Sequence, residues 1–244
     1  MRGFARLAKK FGLILIEDAA HCLEGERDGV RPGRLSRAAC FSFYATKSLT
    51  CGEGGALVCR SERDADWYRA ARHHGISKTA ADRYTKKYEH WDMDFLGWKY
   101  NPSDIQAALL VGQIDRLDRD RQRRQDLEGL YREFLKDVEG LDLLQGPGRG
   151  ERSGHHLFTV LVPKKVSRDK VLARLQGEGV GCAVNYRAVH TLRYFREEFG
   201  FRPEDFPAAH EIGTRTISLP LYPKLTEPEV RRVCRTLKKI LSWR

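Results

Sequence analysis

Three short runs of the chain, LILIED at 13–18, AACFSF at 38–43 and GALVC at 55–59, are apolar without regular alternation. A strand with one wet face alternates apolar and polar residues; a strand covered on both faces does not need to. Helical patterns lie between and after these runs. MRGFARLAKKFG ends at Gly12, a residue suited to a left-handed C-cap, and further helical stretches cover 62–73 and 102–115. Pro102 follows Asn101 as a first-turn proline does, so Asn101 is expected as the N-cap. Continuous apolar strands alternating with helices predict an α/β fold whose sheet is covered on both faces.

The remainder reads differently. RLDRDRQRRQDLEGLYREFLK (116–136) is a helix whose apolar residues recur at helical spacing and whose many arginines and acids form a wet face. QGPGRGERSG (145–154) is the clearest linker. After it, HHLFTVLV and VGCAVNY are expected as strands and RDKVLARLQGEG as a helix closed by glycine. TISLPLYP is extended, and a terminal helix runs to Trp243 with Thr226 as cap and Pro228 in its first turn. This is a smaller α+β unit. The three strands found in the first unit are fewer than an α/β sheet of this kind needs. Either that sheet is small or an N-terminal portion lies outside the chain.

With 44 Lys and Arg against 33 Asp and Glu, the formal charge is +11, so an anionic partner has to be weighed. The densest basic run is interleaved with acids, which suits a solvated helix face better than a phosphate-binding track, and no nucleic-acid partner is expected. No apolar run approaches the roughly 20 residues a membrane helix needs. LILI is too short for a secretory leader and ends in acids. The six cysteines contain no CxxC pair, so neither a disulfide framework nor a zinc site is expected, and the thiols suit a cytoplasmic protein.

The chemistry-bearing candidates stand where strands end. Asp18 closes LILIED, at the carboxyl edge where open sheets place ligands, although a cap for a following helix would use the same residue. His21 follows three residues later. Lys47 lies in FSFYATKSLTCGEGG (41–55), just beyond the second strand and among apolar neighbours. An ammonium there is disfavoured by desolvation, which frees the amine to attack a carbonyl. A lone lysine at a strand end more often lays its stem on apolar surface with its head in water. An aspartate and a lysine on adjacent parallel strands, facing one another across a ring, are what pyridoxal phosphate requires. The carboxylate keeps the pyridine nitrogen protonated and the amine holds the aldehyde. Ser42 can offer a hydroxyl to the phosphate.

EDAAH, SFYATKSLTCGEGG, GWKYNPSDIQAALLVGQ and NYRAVHTLRYF resemble matching segments of the DegT/DnrJ/StrS family of nucleotide-sugar aminotransferases. The resemblance runs from about residue 5 to the C-terminus. It implies the fold-type-I architecture of the aspartate aminotransferases, with 1–115 as the C-terminal part of the large cofactor domain and 116–244 as connecting helix and small domain. It implies Lys47 as the catalytic, cofactor-bearing lysine, and Asp18, His21, Ser42 and Asn101 as further cofactor contacts. Asn101 would reach the phosphate of a neighbouring subunit, hence a homodimer with shared sites. Tyr186, Arg187 and His190 match a loop near the sugar nucleotide. The closest subgroup is the UDP-4-keto-sugar transaminases, led by the type that makes UDP-4-amino-4-deoxy-L-arabinose. Family chains carry upstream a small-residue phosphate loop and a ring-stacking aromatic, so this chain is expected to be an N-terminally truncated member.

The function expected is transfer of an amino group, from glutamate, to the C4 ketone of a nucleotide-linked sugar in the cytoplasm, serving cell-envelope (lipopolysaccharide) or secondary-metabolite sugar synthesis. The alternatives are a catalytically silent remnant that serves only in dimerisation, and a basic nucleic-acid-binding module.

Overall fold

The computed structural model describes residues 1–76 and 90–242. The chain forms two compact units: Met1–Asp118 with Gly148–Gly154, and Arg119–Pro147 with His155–Arg244. The linker at 145–154 is thus divided, Gly148–Gly154 folding with the first unit.

In the first unit, α1 (Arg2–Phe11) stops at Gly12, whose φ of 63° supplies the left-handed cap. Strand β1 (Ile16–Asp18) follows, then the short β2 (Glu26–Arg27), β3 (Ala38–Ser42), β4 (Gly55–Cys59) and α2 (Glu62–Ala71). The sheet order is β1-β3-β4, with β1 parallel to β3 and β4 antiparallel to it. The next helix, α3 (Asp104–Ile114), starts later than expected. Ser103 and Gln106 form a reciprocal capping box, which satisfies the first-turn N–H groups and leaves Asn101 outside the helix. Asn101 Oδ1 instead accepts a bond from Lys99 Nζ at 2.6 Å.

Coverage of this sheet also departs from expectation. Ala38 and Ala39 of β3 are buried, while β1 and β4 are open to solvent over most of their length, Leu57 and Val58 being 42% and 41% exposed. Helix α3 has no buried residue, although its sequence is apolar nearly all round. Helices of that composition are ordinarily covered. Phe4, Leu7 and Phe11 of α1 are exposed as well.

The second unit carries the hydrophobic core. It takes up most of α4 (Leu117–Leu135), then β5 (Asp142–Leu143), β7 (Phe158–Leu161), α5 (Arg168–Gly177), α6 (Arg193–Phe199), α7 (Pro207–Arg215), β8 (Thr216–Leu219) and α8 (Glu227–Ser242). Strand β6 (Glu151–Arg152) pairs with β2 in the first unit. The sheet order is β5-β7-β8, antiparallel throughout. VGCAVNY does not form a strand; its backbone pairs with the sheet at the single Ala183–Ser218 bridge. At the start of α8 the N–H and hydroxyl of Thr226 both donate to Glu229, each at 2.7 Å, and Trp243 lies outside the described residues. Leu127, Tyr131 and Leu135 of α4 pack with Phe158, Val160, Ile217, Val230 and Leu237. The Tyr131 ring stacks on Phe158 at 4.8 Å, and its hydroxyl donates to the Pro220 carbonyl at 2.8 Å.

Helix α4 also buries charge. Glu128 is 8% exposed; it accepts from Arg132 through Nε and Nη2 at 2.9 and 2.7 Å and faces Nδ1 of buried His155 at 2.8 Å. Burial alone would raise the Glu128 pKa, but the hydrogen bonds from His155 and Arg132 outweigh it and hold the carboxyl below its ordinary value. A carboxylate depressed in the fold contributes stability above its unfolded pKa, and that contribution is lost as pH falls through the folded value. The melting temperature should therefore fall as pH drops below about 4.3, the ordinary glutamate value, and Glu128→Gln should flatten that slope. Glu128→Ala removes the carboxylate that Arg132 and His155 bond and should cost on the order of 3 kcal/mol in chemical denaturation at neutral pH.

Candidate active site

The site in the first unit is built from the edge of the sheet. The β1–β3 register sets Asp18 opposite Cys40, and Ala19 N donates to the Cys40 carbonyl at 2.8 Å. Both strands run the same way, so Asp18 and Ser42 end on one edge. No helix follows Asp18 directly. Its Oδ1 accepts from Ala20 N at 3.0 Å in a local turn, and the other carboxylate oxygen has no hydrogen bond from the described residues. The carboxylate stands exposed at the strand end.

Beyond β3 the chain makes a closed loop whose base is one residue. Phe43 N donates to the Gly54 carbonyl at 2.8 Å, and the Phe43 carbonyl accepts from Cys51 N and the Thr50 hydroxyl at 3.0 and 3.1 Å. Gly52 takes φ 85°, and a Cβ on Gly55 would stand 2.6 Å from the Phe41 carbonyl oxygen, so the glycine cluster is what allows β4 to run back beside β3. Inside the loop, Lys47 N donates to the Tyr44 carbonyl at 2.9 Å in a tight turn. Lys47 is half-buried rather than enclosed, and its Nζ has no hydrogen bond or ion pair with the described residues. The Ser42 hydroxyl accepts weakly from Tyr44 N at 3.3 Å.

Electrostatics link His21 to Asp18 and Lys47. Partial burial and the Lys47 cation hold the His21 imidazole below its ordinary pKa, and the Asp18 carboxylate pulls the other way. Asn101, also in this unit, stands exposed at the end of an extended segment fixed by backbone bonds to α2. Trp98 N donates to the Ala71 carbonyl at 2.7 Å and Tyr100 N to the Arg72 carbonyl at 2.8 Å. The segment lies so close that a Cβ on Gly97 would fall 2.1 Å from Gly75 N.

Sequence reasoning assigned no role to the residues that brace the lysine loop. Gln113 Oε1 accepts from Thr50 N at 3.1 Å while its Nε2 donates to the Thr50 carbonyl at 2.7 Å. Gln106 Nε2 donates to the Glu53 carbonyl at 3.0 Å. The two glutamines are seven apart, two helical turns, so they share one face of α3. That spacing was visible in the sequence; the partner loop was not.

Tyr186, Arg187 and His190 belong to the second unit. Tyr186 and Arg187 are exposed, whereas His190 is only 6% exposed.

Residues 1–238 match the family model of the DegT/DnrJ/EryC1/StrS aminotransferases. The chain belongs to that family. It is 34% identical over 249 residues to the spore coat polysaccharide biosynthesis protein SpsC of Bacillus subtilis, covering 99% of this chain and 63% of SpsC. Among solved structures it resembles DesV of S. venezuelae in complex with a ketimine intermediate, with a TM-score of 0.83, 29% identity, and coverage of 99% of this chain and 61% of DesV. It also resembles the putative sugar aminotransferase Spr1654 of Streptococcus pneumoniae in its PMP form, with a TM-score of 0.86 and 26% identity over 97% of this chain and 61% of that one. The chain thus spans about three fifths of the length of these relatives, with the fold-type-I architecture of PLP-dependent sugar aminotransferases. No helix among the described residues is long and apolar enough to cross a membrane.

Replacing Gln113 with Ala removes both bonds to Thr50 and leaves the loop attached to α3 through Gln106. Hydrogen exchange of the Lys47–Gly52 amides should accelerate roughly tenfold or more, the scale of a lost buried hydrogen-bond pair.

Proposed function

We propose that this family member takes pyridoxal 5'-phosphate at the β1–β3 edge and serves an aminotransferase acting on a nucleotide-linked keto sugar. The observation that carries the reading is the parallel β1–β3 register, which ends Asp18 and Ser42 on one edge from which the Lys47 loop departs. The carboxylate and the amine belong to that one edge and its loop, and neither is consumed by an ion pair with the described residues. Those groups fit the cofactor: a carboxylate for a pyridinium N–H, an amine for an aldehyde, and the Ser42 hydroxyl for a phosphate oxygen.

When bound, the cofactor supplies an electron sink for the carbon that loses its proton. The residues do the rest. The Asp18 carboxylate keeps the proton on the ring nitrogen. Lys47 Nζ would hold the aldehyde and, when free, would move a proton as general base and then general acid. The half-buried loop, closed at Phe43 and braced by Gln106 and Gln113, holds that amine in place.

Glutamate is the proposed donor and the C4 ketone of a UDP-sugar the acceptor, the 4-amino-4-deoxy-L-arabinose type first. Tyr186 and Arg187, exposed on one loop, are the groups proposed to meet the nucleotide. A role in cell-envelope polysaccharide synthesis accords with the likeness to SpsC, and a cytoplasmic site with nucleotide-sugar substrates. A homodimer is proposed on the open apolar face of α3, where Ile105 and Val111 are 78% and 66% exposed next to Asn101. The open faces of the first unit also favour a second reading, a catalytically silent chain that only associates through them.

Incubation of the purified chain with pyridoxal phosphate should give near-visible absorbance, and borohydride should fix a pyridoxyl group on Lys47, located by peptide mass spectrometry. Lys47→Ala should lose both. Absorbance that persists in Lys47→Ala, or label spread over surface lysines alone, would sink the assignment and favour the silent chain.

A further inference from the structure

The loop 185–191 of the second unit is held by an unusual pair. His190 sits in a single 3₁₀ turn (Val189–Thr191), its ring 5.0 Å from Phe206 and 6.2 Å from the ring of His210 in the first half of α7. His190 Nε2 and His210 Nδ1 are both buried, and neither has a hydrogen-bond partner among the described residues. Each such atom is costly unless something polar answers it. The ring centroids stand 6.2 Å apart, a separation that one oxygen can bridge with hydrogen bonds of about 2.9 Å. Two such partners are the minimum a buried water requires. The loop backbone meanwhile lies directly on α7: a Cβ on Gly213 would stand 2.5 Å from Ala188 N.

We propose that His190 and His210 share one buried water molecule, and that this link seats the 185–191 loop on α7. His190 then acts by positioning and not by touching a ligand, which its burial already disfavours. The outward residues Tyr186 and Arg187 are left as the ligand-facing groups, and this last consequence rests on the function proposed above. His210 is the second positioning residue, on a different element.

Trypsin cleavage after Arg187 reads the loop, and cleavage after exposed Arg149 serves as the internal reference. His210→Leu keeps bulk but removes the nitrogen; His210→Asn keeps a polar atom near Nδ1. His210→Leu should raise the Arg187-to-Arg149 cleavage ratio roughly tenfold, about one hydrogen bond's worth, while His210→Asn stays within about twofold of wild type. An unchanged ratio in His210→Leu, or equal effects of the two variants, would overturn the proposal. A measurement on the wild-type chain covers the case in which a variant fails to fold: water-to-ring magnetisation transfer should detect a long-lived water at His190, and its absence would equally overturn the link. Adding UDP should slow cleavage after Arg187. Failure of that protection, with the variant ratios intact, removes the loop's ligand role and leaves the water link standing.

Discussion

The parallel register of β1 on β3 is the constraint on which the candidate site depends. It places Asp18 opposite Cys40 and so fixes a carboxylate at the edge from which the lysine loop departs. A one-residue slip would turn Asp18 to the other face of the sheet. Everything that braces the lysine acts downstream of that pairing: the loop closed on Phe43, the glycines that return the chain as β4, and the two glutamines of α3. The site is a sheet edge with a tethered amine, and its precision comes from backbone bonds more than from burial.

The two units are stabilised in different ways. The second has a continuous core around Tyr131, Leu127 and Leu237, with a buried carboxylate answered by Arg132 and His155. In the first unit the buried apolar residues are few and small among those described, mainly Ala19, Ala38, Ala39, Leu49 and Ala71, while larger side chains of α1, β1, β4 and α3 face solvent. Open apolar surface on that scale marks a face meant for contact. The site-bearing unit is therefore the one whose stability depends most on what covers it.

Much of this was legible in the sequence. Glycine punctuation located helix ends: Gly12 closes α1 where expected, and the apolar runs at 38–43 and 55–59 became β3 and β4 within a residue. Strand-end chemistry singled out Asp18 and Lys47, because short strands fix where their last residues stand. Tertiary competition hid the rest. Asn101 and Ser103 are both good caps, and only the reach of Gln106 back to Ser103 decides between them. VGCAVNY has the composition of a strand but forms a single β-bridge with the sheet. The contact between Glu128 and His155 and the clamp between Gln113 and Thr50 join residues far apart in the chain, and no local pattern announces such partners.

Lys47 and Asp18 act with opposite sign on the His21 imidazole at the candidate site. An NMR titration of the His21 ring tests this directly, in the wild-type chain and in Lys47→Met and Asp18→Asn. The wild-type imidazole should titrate below the ordinary histidine value. Removing the lysine cation should raise its pKa, and removing the aspartate charge should lower it further. A His21 pKa that neither substitution moves would mean that the two groups do not share an edge, and the account of the site would fail with it.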